Sequence, residues 1–221
     1  MKIAVGKQKL LKNVKRSGMV TRCVRNVVIL VIIMMCVAGC GLSVSTDPYV
    51  IKIRDKEIKT GETTVQELAD VGYDFSDLSG RERIFGDDFS SEWVYTQVYD
   101  LTSETEARTV YPAITVLKDG QQVALISICN ESKDNAPLSD CKITSVTVYE
   151  YYWEVEKVSF EEISFENLSS DGLTEILGEP KKISDNKDKY IWERGLYTLE
   201  LKYQDDGTIE SVRINFNEFA S

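Results

Sequence analysis

Histidine is absent from all 221 residues. That absence removes the Ser-His-Asp and Cys-His nucleophile arrangements and the zinc sites built on imidazole. No Cys-x-x-Cys spacing occurs, which argues against a catalytic redox pair. The 36 acidic residues show no EF-hand spacing, so no calcium loop is expected from them, and nothing in the chain calls for a metal or other cofactor. The longest apolar run, Val27 to Gly39, falls short of the roughly twenty residues of a membrane-spanning helix.

Enough apolar residues remain for a core, at 43% hydrophobic against 28% charged. Charge is divided unevenly: residues 1–39 hold eight of the 26 basic side chains and none of the acidic ones. The remainder carries 18 basic against 36 acidic residues, a net charge of −18 that opposes a nucleic-acid role. A basic stretch followed by a short apolar run has the form of an export signal. At its end, Val37-Ala38-Gly39-Cys40 resembles the lipobox of bacterial lipoproteins.

The resemblance implies that residues 1–39 are a signal peptide, cut between Gly39 and Cys40 after a diacylglyceryl group is attached to the Cys40 thiol. Cys23 and Cys36 would leave with the signal peptide. Two acyl chains give stable anchoring where one is marginal, which predicts a lipoprotein on the extracytoplasmic face of a cell membrane. The competing reading is an uncleaved amino-terminal anchor with a chance cysteine. Residues 40–48, small and polar, read as a lipidated tether.

Structure is expected from Tyr49. Tyr49 to Ile53 alternates as a strand does, and Thr60-Gly61-Glu62-Thr63-Thr64 offers hydroxyl caps to a helix placing Val65, Leu68 and Val71 on one face and stopping at Gly72. Strands are expected over Glu92 to Tyr99, Val110 to Leu117, Gln122 to Ile128 and Ile143 to Trp153, with a hairpin turn at Lys118-Asp119-Gly120. The order then restarts. A strand at Val158 to Phe160 precedes a helix capped by Ser169-Ser170-Asp171 and ended by Gly178 and Pro180. Strands at Lys189 to Glu193, Tyr197 to Tyr203 and Ile209 to Phe216 follow, the last two joined at Asp205-Asp206-Gly207. The fold class read from this order is α+β, as two tandem small units, 49–157 and 158–221, each a short helix on an antiparallel sheet.

The second unit, through Leu173 to Pro180, Tyr190, Trp192 and Asp206-Gly207-Thr208-Ile209, resembles the repeat of the β-lactamase-inhibitor-protein-like and small outer-membrane-assembly lipoprotein superfamily. The first unit departs from that pattern at Gly72-Tyr73-Asp74, where the proline is missing. The resemblance implies a protein-binding module, although fold alone does not fix function.

Cys129 and Cys141, the two thiols left after lipidation, end predicted strands, and an extracytoplasmic location favours a disulfide between them; two buried thiols are the alternative. The acidic pairs Asp87-Asp88, Glu154 with Glu156, Glu161-Glu162 and Asp205-Asp206 suit solvated faces and turns. Tyrosine and tryptophan anchor many protein interfaces, and Tyr149, Trp153, Trp192 and Tyr197 are the candidate partner-binding residues, with sheet-core packing as the plainer account of each. The expected function is non-enzymatic binding of an envelope protein. A carboxylate-dependent envelope hydrolase and a small solute-binding lipoprotein are the alternatives.

Overall fold

The computed structural model describes residues 47–77, 81–85, 91–95, 97–152 and 154–217. Residues 1–39, expected to be a signal peptide, Cys40, most of the expected tether, Asp87-Asp88 and Trp153 lie outside the described residues. Among those described, the chain begins with strands β1 (Val50–Ile53) and β2 (Lys56–Lys59), a helix over Val65–Ala69, and strands β3 (Asp74–Ser76), β4 (Arg81–Phe85), β5 (Ser91–Tyr95) and β6 (Glu104–Thr105). It continues through β7 (Val110–Lys118), β8 (Gln121–Cys129), β9 (Ala136–Pro137), β10 (Lys142–Tyr149), β11 (Val158–Phe160) and β12 (Ile163–Ser164). A second helix, Ser170–Leu177, leads into β13 (Lys182–Ile183), β14 (Lys189–Arg194), β15 (Tyr197–Tyr203) and β16 (Ile209–Phe216).

Local chemistry accounts for the ends of these elements. Thr64 Oγ1 accepts from Glu67 N at 3.3 Å while Thr64 N donates to Glu67 Oε2 at 2.8 Å, a reciprocal cap for the first helix. That helix ends at Ala69, earlier than the sequence suggests, and Val71 lies past its end, 47% exposed instead of beside buried Val65 and Leu68. Ser169 caps the second helix through Gly172 N at 3.0 Å, and Gly178 closes it at φ 82°. Asp119 and Gly120, both at positive φ (54° and 79°), make the tight β7–β8 turn.

The molecule is a mixed α+β fold dominated by antiparallel sheet. Eight strands run in the order β13-β14-β15-β16-β10-β8-β7-β3, and four more in the order β12-β11-β1-β2. Two-stranded ribbons join β4 to β5 and β6 to β9. The boundary expected at 157/158 does not separate two sheets. β10 pairs with β16 from Ser145↔Asn215 to Tyr149↔Ser211, and β1 pairs with β11 from Ile51↔Phe160 to Ile53↔Val158. The described residues belong to one compact unit.

Alternation turns Val146 and Val148 of β10, Leu199 and Leu201 of β15, and Val212 and Ile214 of β16 into one buried cluster. Ile51, Ile53, Ile58 and Phe160 of the smaller sheet, and Val65, Leu68 and Leu173 of the helices, belong to the same cluster. Gly61 ties the loop before the first helix to this assembly. Its N–H donates to Ile143 O at 2.7 Å, and its φ is 81°. A Cβ there would stand 2.9 Å from the Phe216 ring, whereas one on Gly120 would meet nothing within 4 Å.

Both glycines sit where an L side chain is strained by about 1–3 kcal/mol, but only Gly61 adds a clash. Gly61→Ala is therefore expected to lower the urea unfolding midpoint more than Gly120→Ala does, a ranking that parallel denaturation of the two variants checks.

Candidate partner-binding groove

Two turns meet at one end of the β10–β16 pair. After β15, Asp206 Oδ1 accepts from Thr208 N at 3.0 Å and from Thr208 Oγ1 at 2.6 Å, and Gly207 takes φ 85°. This is the turn chemistry expected of Asp205-Asp206-Gly207. After β10, Tyr152 N donates to Tyr149 O at 3.1 Å, and Glu150 N donates across the seam to Glu210 O at 3.1 Å. A third segment arrives before β14, where Ser184 Oγ donates to Asp188 Oδ1 at 2.6 Å and Asp188 O accepts from Tyr203 N at 2.7 Å.

Between these turns lies a groove of about 670 Å³, walled by Tyr149, Tyr151 and Tyr203 and edged by Asp188, Asp205 and Glu210. Tyr149 and Tyr151 stack at 5.3 Å with planes 24° apart, and Tyr152 stands edge-on to both. Gln122 Nε2 donates to the Tyr152 hydroxyl at 2.9 Å, and Tyr152 is buried, which holds the trio from behind. Tyr151 is 72% exposed. Tyr203 is fixed as well, its hydroxyl oxygen accepting from Ser170 N at 2.8 Å at the start of the second helix. Lys202 also lines the groove, 2.7 Å from Glu210, which raises the lysine pKa. A second hollow of about 430 Å³ shares Asp188, Tyr203, Gln204 and Asp205 with the groove.

Of the aromatic candidates, Tyr149 lies in the groove. Trp192 and Tyr197 do not present themselves to a partner. Trp192 is 2% exposed, its indole N–H donating to Gly178 O at 2.9 Å, and it pairs in register with buried Leu199. Tyr197 shares the inward face of β15 with Leu199 and Leu201 and stacks on Phe216 at 5.1 Å. Tyr151, Tyr203 and Glu210 were not singled out by the sequence as a site, because only the tertiary meeting of three turns brings them together.

Cys129 ends β8 and Cys141 precedes β10; both are buried, and the structure holds them as thiols, so the expected disulfide is not formed here. Cys141 Sγ lies 3.4 Å from Thr105 Oγ1, and burial raises its thiol pKa.

Among the described acidic pairs, Glu154, Glu161 and Asp206 have structural partners. Glu161 and Glu162 form the β11–β12 turn at φ 47° and 72°, and Glu161 Oε1 accepts from Val50 N at 3.2 Å and Arg194 Nη1 at 3.4 Å. Glu154, with its side chain 2% exposed, is bonded by both Arg54 and Lys157, which joins the β1–β2 turn to the segment between β10 and β11. Among the described residues, the carboxylates whose ionisation is displaced, Asp100, Glu154, Asp188 and Asp206, are all displaced downward, chiefly by hydrogen bonds. A general acid needs the opposite displacement. Among the described residues, no group of three acidic or cysteine side chains is placed to hold a metal ion.

Arg54 is the main cause holding the Glu154 pKa down. The stability this confers is full above the unfolded glutamate value of about 4.3 and is lost as pH falls through the lower folded value. Glu154→Gln is expected to unfold at lower urea than the parent at pH 7, with the gap closing in acid. Urea titrations at successive pH values check this, and a gap that persists unchanged in acid would assign the loss to packing.

No family model, no curated protein and no solved structure matches the chain.

Proposed function

We propose that this protein is a lipid-anchored envelope protein, held through Cys40 on the extracytoplasmic face of a membrane, whose folded part binds another envelope protein without catalysis. The observation that carries the binding reading is the Tyr149–Tyr151 stack, with Tyr151 72% exposed at the wall of an open groove. An aromatic side chain held by its neighbours presents a large contact area at little further cost in side-chain entropy. The downward displacement of the carboxylates favours binding over acid–base hydrolysis.

The tandem-repeat reading belongs to the same proposal. A hairpin, a short helix and four sheet strands occur in the order β1, β2, helix, β3, β7, β8, β10 and again in the order β11, β12, helix, β13 to β16. The two series meet at the centre of both sheets, through β1 with β11 and β10 with β16. This supports two diverged copies of one unit, fused by shared sheets, and with it the superfamily resemblance.

The test is in-cell crosslinking and affinity purification of the tagged full chain. The parent is expected in the membrane fraction with one stoichiometric envelope partner. Cys40→Ser is expected to leave that fraction, and Tyr151→Ala to stay in it but lose the partner. Recovery of the same partner at parent level with Tyr151→Ala would refute the groove as the binding site. A Cys40→Ser protein that still sediments with membranes would refute the lipid anchor.

A further inference from the structure

We infer that the groove at Tyr149 and Tyr151 receives an extended lysine- and arginine-rich segment of the partner protein, with cationic side chains laid against the tyrosine rings. This rests on the groove being the binding site and goes further by naming the chemistry of what enters it.

Asp188, Asp205, Asp206 and Glu210 line the groove, and Glu150 stands between the two stacked tyrosines in sequence. Among the described residues, Lys202 is the one cation lining the same groove, and Glu210 already binds it, both at Oε1 (2.8 Å) and at Oε2 (2.7 Å). Lys187 adds a second cation in the adjoining hollow. The local balance is therefore strongly negative, within a folded part whose overall excess is acidic as well.

The carboxylates are also held in position. Thr208 fixes Asp206 through two hydrogen bonds, Ser184 fixes Asp188, and Gln204 Nε2 donates to Glu150 Oε2 at 3.2 Å. A cation entering the groove thus meets charges already held in place. Tyrosine rings attract the same ligand, because their quadrupole presents negative faces to lysine and arginine, and the long alkyl stems of those residues cover ring surface as they approach.

Shape selects an extended segment over a compact cation. The groove is open, and a second hollow shares Asp188, Tyr203, Gln204 and Asp205 with its lining. Two neighbouring hollows offer places for more than one side chain of a strand-like peptide. The acidic excess of the whole folded part would steer such a segment inward at low salt and screen out as salt rises.

The test uses the full chain purified in detergent and three probes: a labelled eight-residue peptide of alternating lysine and serine, the same peptide with glutamate for lysine, and spermine as a competitor. Fluorescence anisotropy is expected to show binding of the lysine peptide, weakening with salt, and none of the glutamate peptide. Tyr151→Ala is expected to weaken it about two- to fivefold, and Glu150→Gln combined with Asp205→Asn at least about threefold. Urea midpoints equal to the parent's keep these losses assigned to the groove, since all three positions are exposed.

Equal binding of both peptides, failure of the lysine peptide to bind, or binding that neither variant weakens would overturn the inference. Spermine displacing the peptide at equal or lower concentration than unlabelled peptide would overturn the extended segment in favour of a small cation. If the lysine peptide fails while Tyr151→Ala still loses the crosslinked partner in cells, the cationic partner falls and the binding groove stands; if that partner is retained as well, both fall.

Discussion

The pairing of β10 with β16 is the constraint on which the rest of the molecule depends. It brings residues 145–149 against 211–215, so two stretches more than sixty residues apart must find one register. A slip of one residue would turn Val146, Val148, Val212 and Ile214 out of the core, and all four are fully buried. The face away from those side chains is stitched as well. Ser145 Oγ donates to Asn215 Oδ1 at 2.8 Å, Asn215 Nδ2 to Thr198 Oγ1 at 3.2 Å, and Arg213 Nε to Thr147 Oγ1 at 3.0 Å. Polar side chains thus specify the same register that the apolar ones require.

The groove is a product of that seam. Tyr149 is the last β10 residue in it, opposite Ser211, and the next bond, from Glu150 N to Glu210 O, sets the two turns side by side. Tyr151 and Glu210 come from opposite halves of the chain and line the groove together through this pairing. The pairing of β1 with β11 secures the same two halves elsewhere, so their join rests on more than one contact.

Much of the fold was legible in the sequence wherever a local pattern is sufficient. The alternation of Tyr197, Leu199 and Leu201, the Asp119-Gly120 turn and the Ser169 cap each appear where the residues placed them. β2 was not legible, because Lys56-Glu57-Ile58-Lys59 offers a single apolar residue, and the two-residue strands carry too little pattern to register. Sheet order was not legible either, since nothing local to β10 announces β16 as its neighbour. The site was harder to read than the fold. Residue type nominated Trp192 and Tyr197 for an interface, yet the alternation that made Tyr197 part of a strand also turned it inward. Tyr149 and Tyr151 sit where the strand gives way to a turn, and there the face of a side chain is set by tertiary packing.

The point at which the chain enters its fold also decides how the molecule carries load. Tyr49, 2% exposed beneath the Arg194 guanidinium at 4.4 Å from its ring, leads directly into β1, and β1 lies inside the smaller sheet with β11 on one side and β2 on the other. Tension arriving from the Asp47 side therefore meets an interior strand. To extract it, two ladders must shear together, where an edge strand would unzip from one neighbour bond by bond. A protein moored at that end would keep its groove intact under pulls that would peel a sheet attached by its margin.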